Sequence, residues 1–327
     1  MSEQFRQPEI MMGRVSRRDA VEAAAWCVAG GTLAITAASL FGRADWRLSL
    51  LSHFRLHVTA GCFLALPITL AAGTRGPSAI LGAALAANLA DILHHEHSRA
   101  GAEARSGGNR KGPGTTVVSL NVLRHNPDKA KALEWLALCD ADVMVILEVS
   151  SDWREGLLER LDDAYRHRAF GPDSQGDQIM ILSRHPLRRL ASRDLDDQGL
   201  LMVHVAQPGS PFTLIGVHPD HAIEHRSLRP QRALLALLAE AIRNTEGPVA
   251  VAGDFNTTPW SSEFRRFLEA SGLDMPLLRR GTFPSSLGWA GLPIDHVLAG
   301  RGMRLKKITP GPDVGSDHRP VVARLEG

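Results

Sequence analysis

Twenty consecutive residues, Ala23 to Gly42, carry no charge. At about 1.5 Å per residue, a helix of that length covers the roughly 30 Å hydrocarbon core of a bilayer. A second uncharged run extends from Leu56 to Thr74 and contains Pro67, and a third, from Gly76 to Ala90, is shorter and rich in Ala and Gly. Membrane helices tolerate proline, and small residues let them approach closely. Three spans are therefore expected, near 23–42, 56–74 and 76–93, within an N-terminal membrane region over 1–95. A buried helical hairpin of a soluble domain is the alternative reading of the same runs.

The flanking charges bear on orientation. Arg6, Arg14, Arg17 and Arg18 precede the first run, Arg43, Arg47 and Arg55 sit in the first connection, and Arg75 sits in the second. By the positive-inside rule this count is close to a tie. Ser16-Arg17-Arg18 also resembles a twin-arginine export signal, but the motif's usual apolar residue is here Ala20, and further apolar runs follow. An uncleaved first helix with a cytoplasmic N-terminus, followed by two more spans, puts the rest of the chain on the extracytoplasmic side.

Between Glu96 and Gly114 the composition turns to Gly, Ser, Arg and Lys, which reads as a flexible linker over 96–114. From Thr115 onward, β-type runs alternate with amphipathic helical ones. The strand candidates are TTVVSLNV, ADVMVILEV, DQIMILS, LLMVHVA, PFTLIGVH, PVAVAGDF, IDHVLA and PVVARL. Helical periodicity marks DKAKALEWLALC, a segment from about Asp152, and LRPQRALLALLAEAIR. Many strands with few helices between them point to an α/β (α+β) fold of two packed sheets flanked by helices.

Charge narrows the partners. Residues 1–111 carry 12 Lys/Arg against 8 Asp/Glu, whereas 112–327 carry 25 against 27. The basic excess that usually drives binding to nucleic acid is absent from the second part, although a local patch stays open. A single Tyr, Tyr165, and scattered Trp and Phe offer no repeated platform for stacking bases. Cys27, Cys62 and Cys139 have no metal-ligand spacing, and no protein partner is inferable.

Several apolar strands end in polar groups. Gly253-Asp254-Phe255-Asn256 follows the strand PVAVA, so Asp254 and Asn256 project to one side; the same residues also make an ordinary polar turn. Ile294-Asp295-His296 opens another apolar strand, and Gly315-Ser316-Asp317-His318 precedes the last one. An Asp and a His that meet in space form an oriented imidazole, but sequence does not show that they meet. Asn121 ends the first strand of this part, and Glu148 closes ADVMVIL, where an ionised carboxylate is costly unless paired or bound to a cation. Carboxylate and amide oxygens without nearby Cys suit Mg²⁺ or Mn²⁺.

In this order, Asn121, Glu148, His218, Asp254-x-Asn256, Asp295 and Asp317-His318 resemble the endonuclease/exonuclease/phosphatase superfamily, which includes pancreatic deoxyribonuclease, apurinic endonucleases, neutral sphingomyelinases and inositol polyphosphate phosphatases. The resemblance covers 115–327 and offers nothing for 1–111. It implies a four-layer sandwich with a metal at one open end. It implies Glu148 as principal metal ligand, with Asn121 and Asp317 completing the shell directly or through water. Asp254 would orient the attacking water, Asn256 would bind the phosphate, and His318, held by Asp295, would act as base or as a charged stabiliser. His218 stands where relatives have a phosphate-contacting His or Tyr, but the following Pro219-Asp220-His221 departs from the usual small-residue turn; His221 and His225 are further candidates to line the cleft. The expected function is hydrolysis of a phosphodiester in nucleic acid or in a phospholipid headgroup. An inactive, membrane-tethered interaction module with the same fold is the alternative.

Overall fold

The computed structural model describes residues 16–42, 45–105, 114–172, 178–219, 225–275 and 280–327, with backbone alone at 46, 94–105 and 225–228. Arg6, Arg14 and Arg43 lie outside the described residues. Helices α1 (Arg17–Leu40), α2 (Trp46–Ser52), α3 (Arg55–Ala71) and α4 (Arg75–Arg105) make up the N-terminal part. Ser16, read above as part of an export-like motif, caps α1 by accepting from the Asp19 amide, while the Asp19 carboxylate accepts from the Ser16 amide.

Two helices, not three, are long and apolar enough to cross a bilayer: Arg17–Leu40 and the Arg75–Leu93 portion of α4. Length and composition alone make this weak evidence for a membrane region. The middle run falls short because α3 stops at Ala71, just before Gly73 takes a left-handed φ of 72°. The expected linker starts late for a related reason. Charge does not end a helix, and with no proline from Ser78 to Arg105, α4 continues to Arg105 through much of the stretch read as flexible.

The rest of the chain contains β1 (Thr115–Asn121), α5 (Ala130–Leu138), β2 (Val143–Val149), α6 (Ser151–Leu161), β3 (His167–Phe170), β4 (Gln178–Ser183), β5 (Leu187–Arg189), α7 (Arg193–Asp196) and β6 (Leu201–Val205). It continues with β7 (Phe212–Val217), α8 (His225–Asn244), β8 (Val249–Asp254), α9 (Ser262–Ser271), a 3₁₀ segment (Ser285–Ala290), β9 (Asp295–Gly300), β10 (Arg304–Pro310) and β11 (Val321–Glu326). The strands form two sheets, β10-β11-β1-β2-β4-β3 and β5-β6-β7-β8-β9.

Three apolar layers hold these sheets together. Val117, Val145 and Ile181 of one sheet meet Val203, Leu214 and Ala252 of the other in the central core. Val118, Met144 and Ile146 face outward onto Leu136, Trp153 and Leu157 of α5 and α6, and Ile215, Val217 and Val251 face Leu235, Leu238 and Phe264 of α8 and α9. Central strands buried on both faces read as continuous apolar runs, which is why β2 and β8 show no alternation. Each fully buried aliphatic side chain contributes about 1.5–3 kcal/mol. The expected sandwich of two sheets between helices is the architecture found.

Candidate active site

Strand register assembles the site. β1 and β2 are parallel with Asn121 opposite Leu147, which puts Asn121 beside Glu148. β7 and β8 are parallel with Val217 opposite Gly253, which puts His218 beside Asp254. A Cβ on Gly253 would fall 1.9 Å from the Val217 carbonyl oxygen, so only glycine lets the two strands meet just before Asp254. β8 and β9 are antiparallel, and there Asp254 and Asp295 are direct cross-strand partners. Like charges opposite one another on adjacent strands are destabilising. Positive charge at this point relieves that repulsion.

His318 provides part of it. His318 Nδ1 lies 2.9 Å from Asp295 Oδ2, and its Nε2 lies 3.6 Å from Asp254 Oδ2. His218 Nε2 sits 3.7 Å from both Glu148 Oε1 and Asp254 Oδ2. Asn121 bridges the two sheets, donating its amide to Glu148 Oε1 at 2.8 Å and to Asp254 Oδ2 at 3.3 Å. Glu148, with a left-handed φ of 59°, also accepts the Arg124 amide at 3.0 Å. Asn256, with φ 50°, donates its amide to Asp254 Oδ1 and its side-chain nitrogen to the Pro219 carbonyl.

Electrostatics follow from this packing. Burial opposes charge on His318, but Asp295 and Asp254 outweigh it and push the imidazole up to about 10. Burial first, and then Asp295, raise the Asp254 carboxyl above the usual carboxylate range. Burial works the same way on Glu148, but the Arg124 amide, the Asn121 side chain and the two histidines more than offset it, holding the carboxyl below its ordinary value. At neutral pH, His318 is thus an imidazolium clamped by two buried carboxylates.

This arrangement fixes the sign of a pH effect. A pKa raised from 6.5 to about 10 stabilises the folded state fully below pH 6.5, progressively less between 6.5 and 10, and not at all above 10. With chelator present, the melting temperature of the detergent-solubilised chain is expected to fall more steeply from pH 7 to 10 than that of His318→Gln. Parallel curves for the two proteins would remove the charged imidazole.

The sequence-predicted residues Asn121, Glu148, His218, Asp254, Asn256, Asp295 and His318 are brought together. Asp317 is half-buried and acts on His318 through its charge. The contacts described for its carboxylate run to the Ser316 hydroxyl, at 3.4 Å, rather than to Glu148. Asn121 turns its side-chain oxygen to the Leu123 amide, so it clamps the carboxylates with its nitrogen. His221 lies outside the described residues, as does the side chain of His225. Three contributors escaped sequence reading: Phe283, whose ring packs 4.7 Å from that of His318; Thr282, whose hydroxyl accepts the Asp295 amide; and Ser316, which ties the His318 loop to the Asn121 carbonyl. Only the threonine and serine hydroxyls near Asp295 and His318 hinted at them.

The donor set fits a hard divalent cation. Ligand atoms of Asp254, Asp295 and His318 lie within 4.8 Å of one another, and Glu148 adjoins them through Asn121 and His218. Asp295 Oδ1 is buried with no hydrogen-bond partner among the described residues. The carboxyl groups of Glu148, Asp254 and Asp295 concentrate oxygen donors here, and oxygen donors match Mg²⁺ or Mn²⁺.

Comparison with known proteins identifies the fold and the family. A UPF0294 protein of Vibrio cholerae serotype O1 is 40% identical over 98 residues, 29% of this chain and 33% of that protein. One from Vibrio campbellii is 25% identical over 221 residues, 62% of this chain and 76% of that protein. The chain thus matches about a third of the length of the Vibrio cholerae relative. Among solved structures, an endonuclease/exonuclease/phosphatase family protein of Bacteroides thetaiotaomicron has a TM-score of 0.54 at 18% identity, covering 66% of this chain and 98% of that one. Beta toxin of Staphylococcus aureus, solved with bound magnesium ions, has a TM-score of 0.51 at 16% identity, covering 64% and 99%. D. rerio TDP2, complexed with single strand DNA product, has a TM-score of 0.54 at 15% identity, covering 65% and 99%. At these identities the structures share the fold. The profile of one family spans residues 118–318, more than half of the chain and every site residue named above, and the protein therefore belongs to the Endonuclease/Exonuclease/phosphatase family.

Proposed function

We propose that the chain is a membrane-anchored, divalent-metal-dependent phosphodiesterase whose catalytic part lies outside the cytoplasm. The observation that carries the chemistry is the direct pairing of buried Asp254 and Asp295 against His318, with Glu148 and His218 alongside. A bound Mg²⁺ or Mn²⁺, held by Glu148 and neighbouring carboxylate oxygens, would supply Lewis-acid neutralisation of phosphate charge. Asp254, its carboxyl raised toward neutrality, suits a group that orients a water and takes its proton. His318, charged and locked by Asp295, is built to stabilise charge developing on phosphate oxygens. His218 and Asn256 flank Asp254 and are the residues to contact the phosphate. Arg124, His125 and Arg154 line a cavity of about 340 Å³ beside β2, a suitable place for an anionic part of the substrate.

Two observations support the membrane reading. Arg55, at the start of α3, bonds Ser39 near the end of α1 and Asn88 toward the end of the Arg75–Leu93 portion of α4, so α1 and this portion of α4 run parallel and α3 returns between their ends. Arg17, Arg18 and Arg75 consequently gather at the other end, around one cavity that Glu22 also lines, while Arg55 shares Asp91 with Arg265. Three arginines at that far end favour a cytoplasmic location for it by the positive-inside rule.

A phospholipid headgroup is favoured over nucleic acid. Trp289 and Leu287 are 79% and 57% exposed in the 3₁₀ segment whose Ala290 carbonyl contacts His57 of α3. Exposed apolar groups beside the end of a lipid-facing helix suit the interfacial zone. The near-neutral charge of 112–327 agrees, with 25 basic against 27 acidic residues.

The test uses the full chain in nanodiscs with Mg²⁺ or Mn²⁺. Headgroup release from sphingomyelin and phosphoinositide vesicles is expected to exceed cleavage of duplex DNA or RNA, and the reverse order would replace the lipid reading. No turnover of any of these, nor of bis(4-nitrophenyl) phosphate, would favour the inactive interaction module. Intact spheroplasts are expected to cleave the same probe added outside; activity released only by lysis would reverse the orientation.

A further inference from the structure

We infer that the N-terminal helices are a structural part of the active site, with His53 as a positioning residue for the loop that carries Asn256. Among the described residues, the two parts of the chain are joined by polar contacts that include two short segments. Ser49 of α2 donates to Glu263 Oε2 at 2.7 Å, and both residues are buried. Asp91 of α4 takes a two-pronged contact from Arg265 at 2.8 and 3.2 Å and a further contact from Arg55 at 3.2 Å. His53, in the turn between α2 and α3, lies 3.1 Å from the Thr258 hydroxyl and accepts the Thr258 amide at 3.2 Å. His57 meets the Ala290 carbonyl. Thr258, Glu263 and Arg265 follow directly on Asp254-Phe255-Asn256, and Ala290 stands five residues before Asp295. A helical part serving only as a tether has no reason to concentrate its polar contacts on the two segments that flank the site.

The loop itself needs such support. Asn256 holds a left-handed backbone, which asparagine tolerates better than most residues other than glycine but which still needs contacts to fix it in place. Its neighbours are pinned from both sides. His296 Nε2 holds the Thr257 carbonyl at 2.9 Å from β9, and His53 Nδ1 holds Thr258 from the helices. An amide always donates, so Nδ1 of His53 is an acceptor and its proton sits on Nε2. Burial agrees: it takes His53 down to about 4 against the pull of Glu263, leaving the ring neutral at physiological pH. Thr258 is fully buried, so without His53 its amide would lose its described partner.

This inference goes beyond the proposed hydrolysis, and one arm of its test does not depend on turnover. In the full chain in nanodiscs, hydrogen exchange is read at single amides for wild type, His53→Ala and His53→Asn. Asparagine keeps an acceptor close to the position of Nδ1. His53→Ala is expected to speed exchange at least tenfold at Thr258 and also at Asn256, whose amide is held by Asp254 Oδ1, while amides of β1 and β2 stay unchanged. His53→Asn is expected to restore protection. With bis(4-nitrophenyl) phosphate and Mn²⁺, kcat should fall about 10–100-fold in His53→Ala, the scale of a misplaced contact group, and recover in His53→Asn. Unchanged exchange at Asn256, loss of protection throughout β1 and β2, or an unaltered kcat in an active preparation would each overturn the positioning role. If wild type turns over no probe, the hydrolytic reading fails separately and exchange at Asn256 alone decides.

Discussion

His318→Ala is expected to lower kcat by about 10²–10⁴-fold, the range for a positioned acid or base. The chain brings His318 and Asp295 together from 23 positions apart, with Nδ1 and Oδ2 at 2.9 Å and both residues almost wholly buried. Asp295 is in turn fixed by its cross-strand place opposite Asp254 and by the Thr282 hydroxyl on its amide. Asp295→Asn keeps the shape but removes the charge that sustains the imidazolium, so its effect should be smaller than or comparable to that of His318→Ala. Residues acting as a unit are non-additive, and the double variant should be little worse than His318→Ala alone. If the two residues merely stabilised adjoining strand ends, thermal unfolding would shift while kcat per folded molecule stayed constant. Measuring both quantities for the three variants separates these cases, and multiplicative losses in kcat would break the pair into independent parts.

The sequence made the site's members legible but not their contacts. Asn121, Glu148, His218 and Asp254 each close an apolar run, and in parallel central strands such runs end together at one edge, so polar groups there converge. The Asp295–His318 contact, in contrast, depends on β9 and the last loop folding onto the same end, which no local pattern encodes. Nor does any local pattern encode His53 reaching Thr258 across 205 residues.

Strand reading failed where burial was thin. β3, β5 and β10 are short or edge strands carrying Arg, Lys and His on exposed faces, so their apolar alternation is weak. α9 is marked in the sequence at its ends, by the Ser261 N-cap and the left-handed Gly272 C-cap. In the N-terminal part, absence of charge is a poor measure of span length. Helix ends are set instead by backbone conformation: Gly73 cuts the middle run short, and α4 continues past Asp91 without a break.

Glu148→Gln is expected to abolish divalent-metal binding and, with it, hydrolysis. Glu148 lies at an open edge of the site, half-buried, its two oxygens oriented by the Arg124 amide and the Asn121 side chain, and its carboxyl held in the charged form. Those are the properties of a ligand kept ready for a hard cation. The nearest cluster of ligand atoms, Asp254, Asp295 and His318, is a weaker candidate to hold the ion alone, because His318 carries a proton to about pH 10 and already bonds Asp295. Glutamine keeps the size and the left-handed backbone while removing the charge. If the ion contributes about 4 kcal/mol to transition-state stabilisation, its loss is worth roughly 10³-fold in kcat. A chelator added to wild type should reproduce that loss, and restored Mn²⁺ should rescue wild type but not Glu148→Gln. Titration calorimetry with Mn²⁺ on the full chain then locates the ion. Binding lost in Glu148→Gln and kept in His318→Ala assigns it to Glu148, whereas the opposite pattern would move it onto the Asp254, Asp295 and His318 cluster and leave Glu148 an ordinary buried carboxylate.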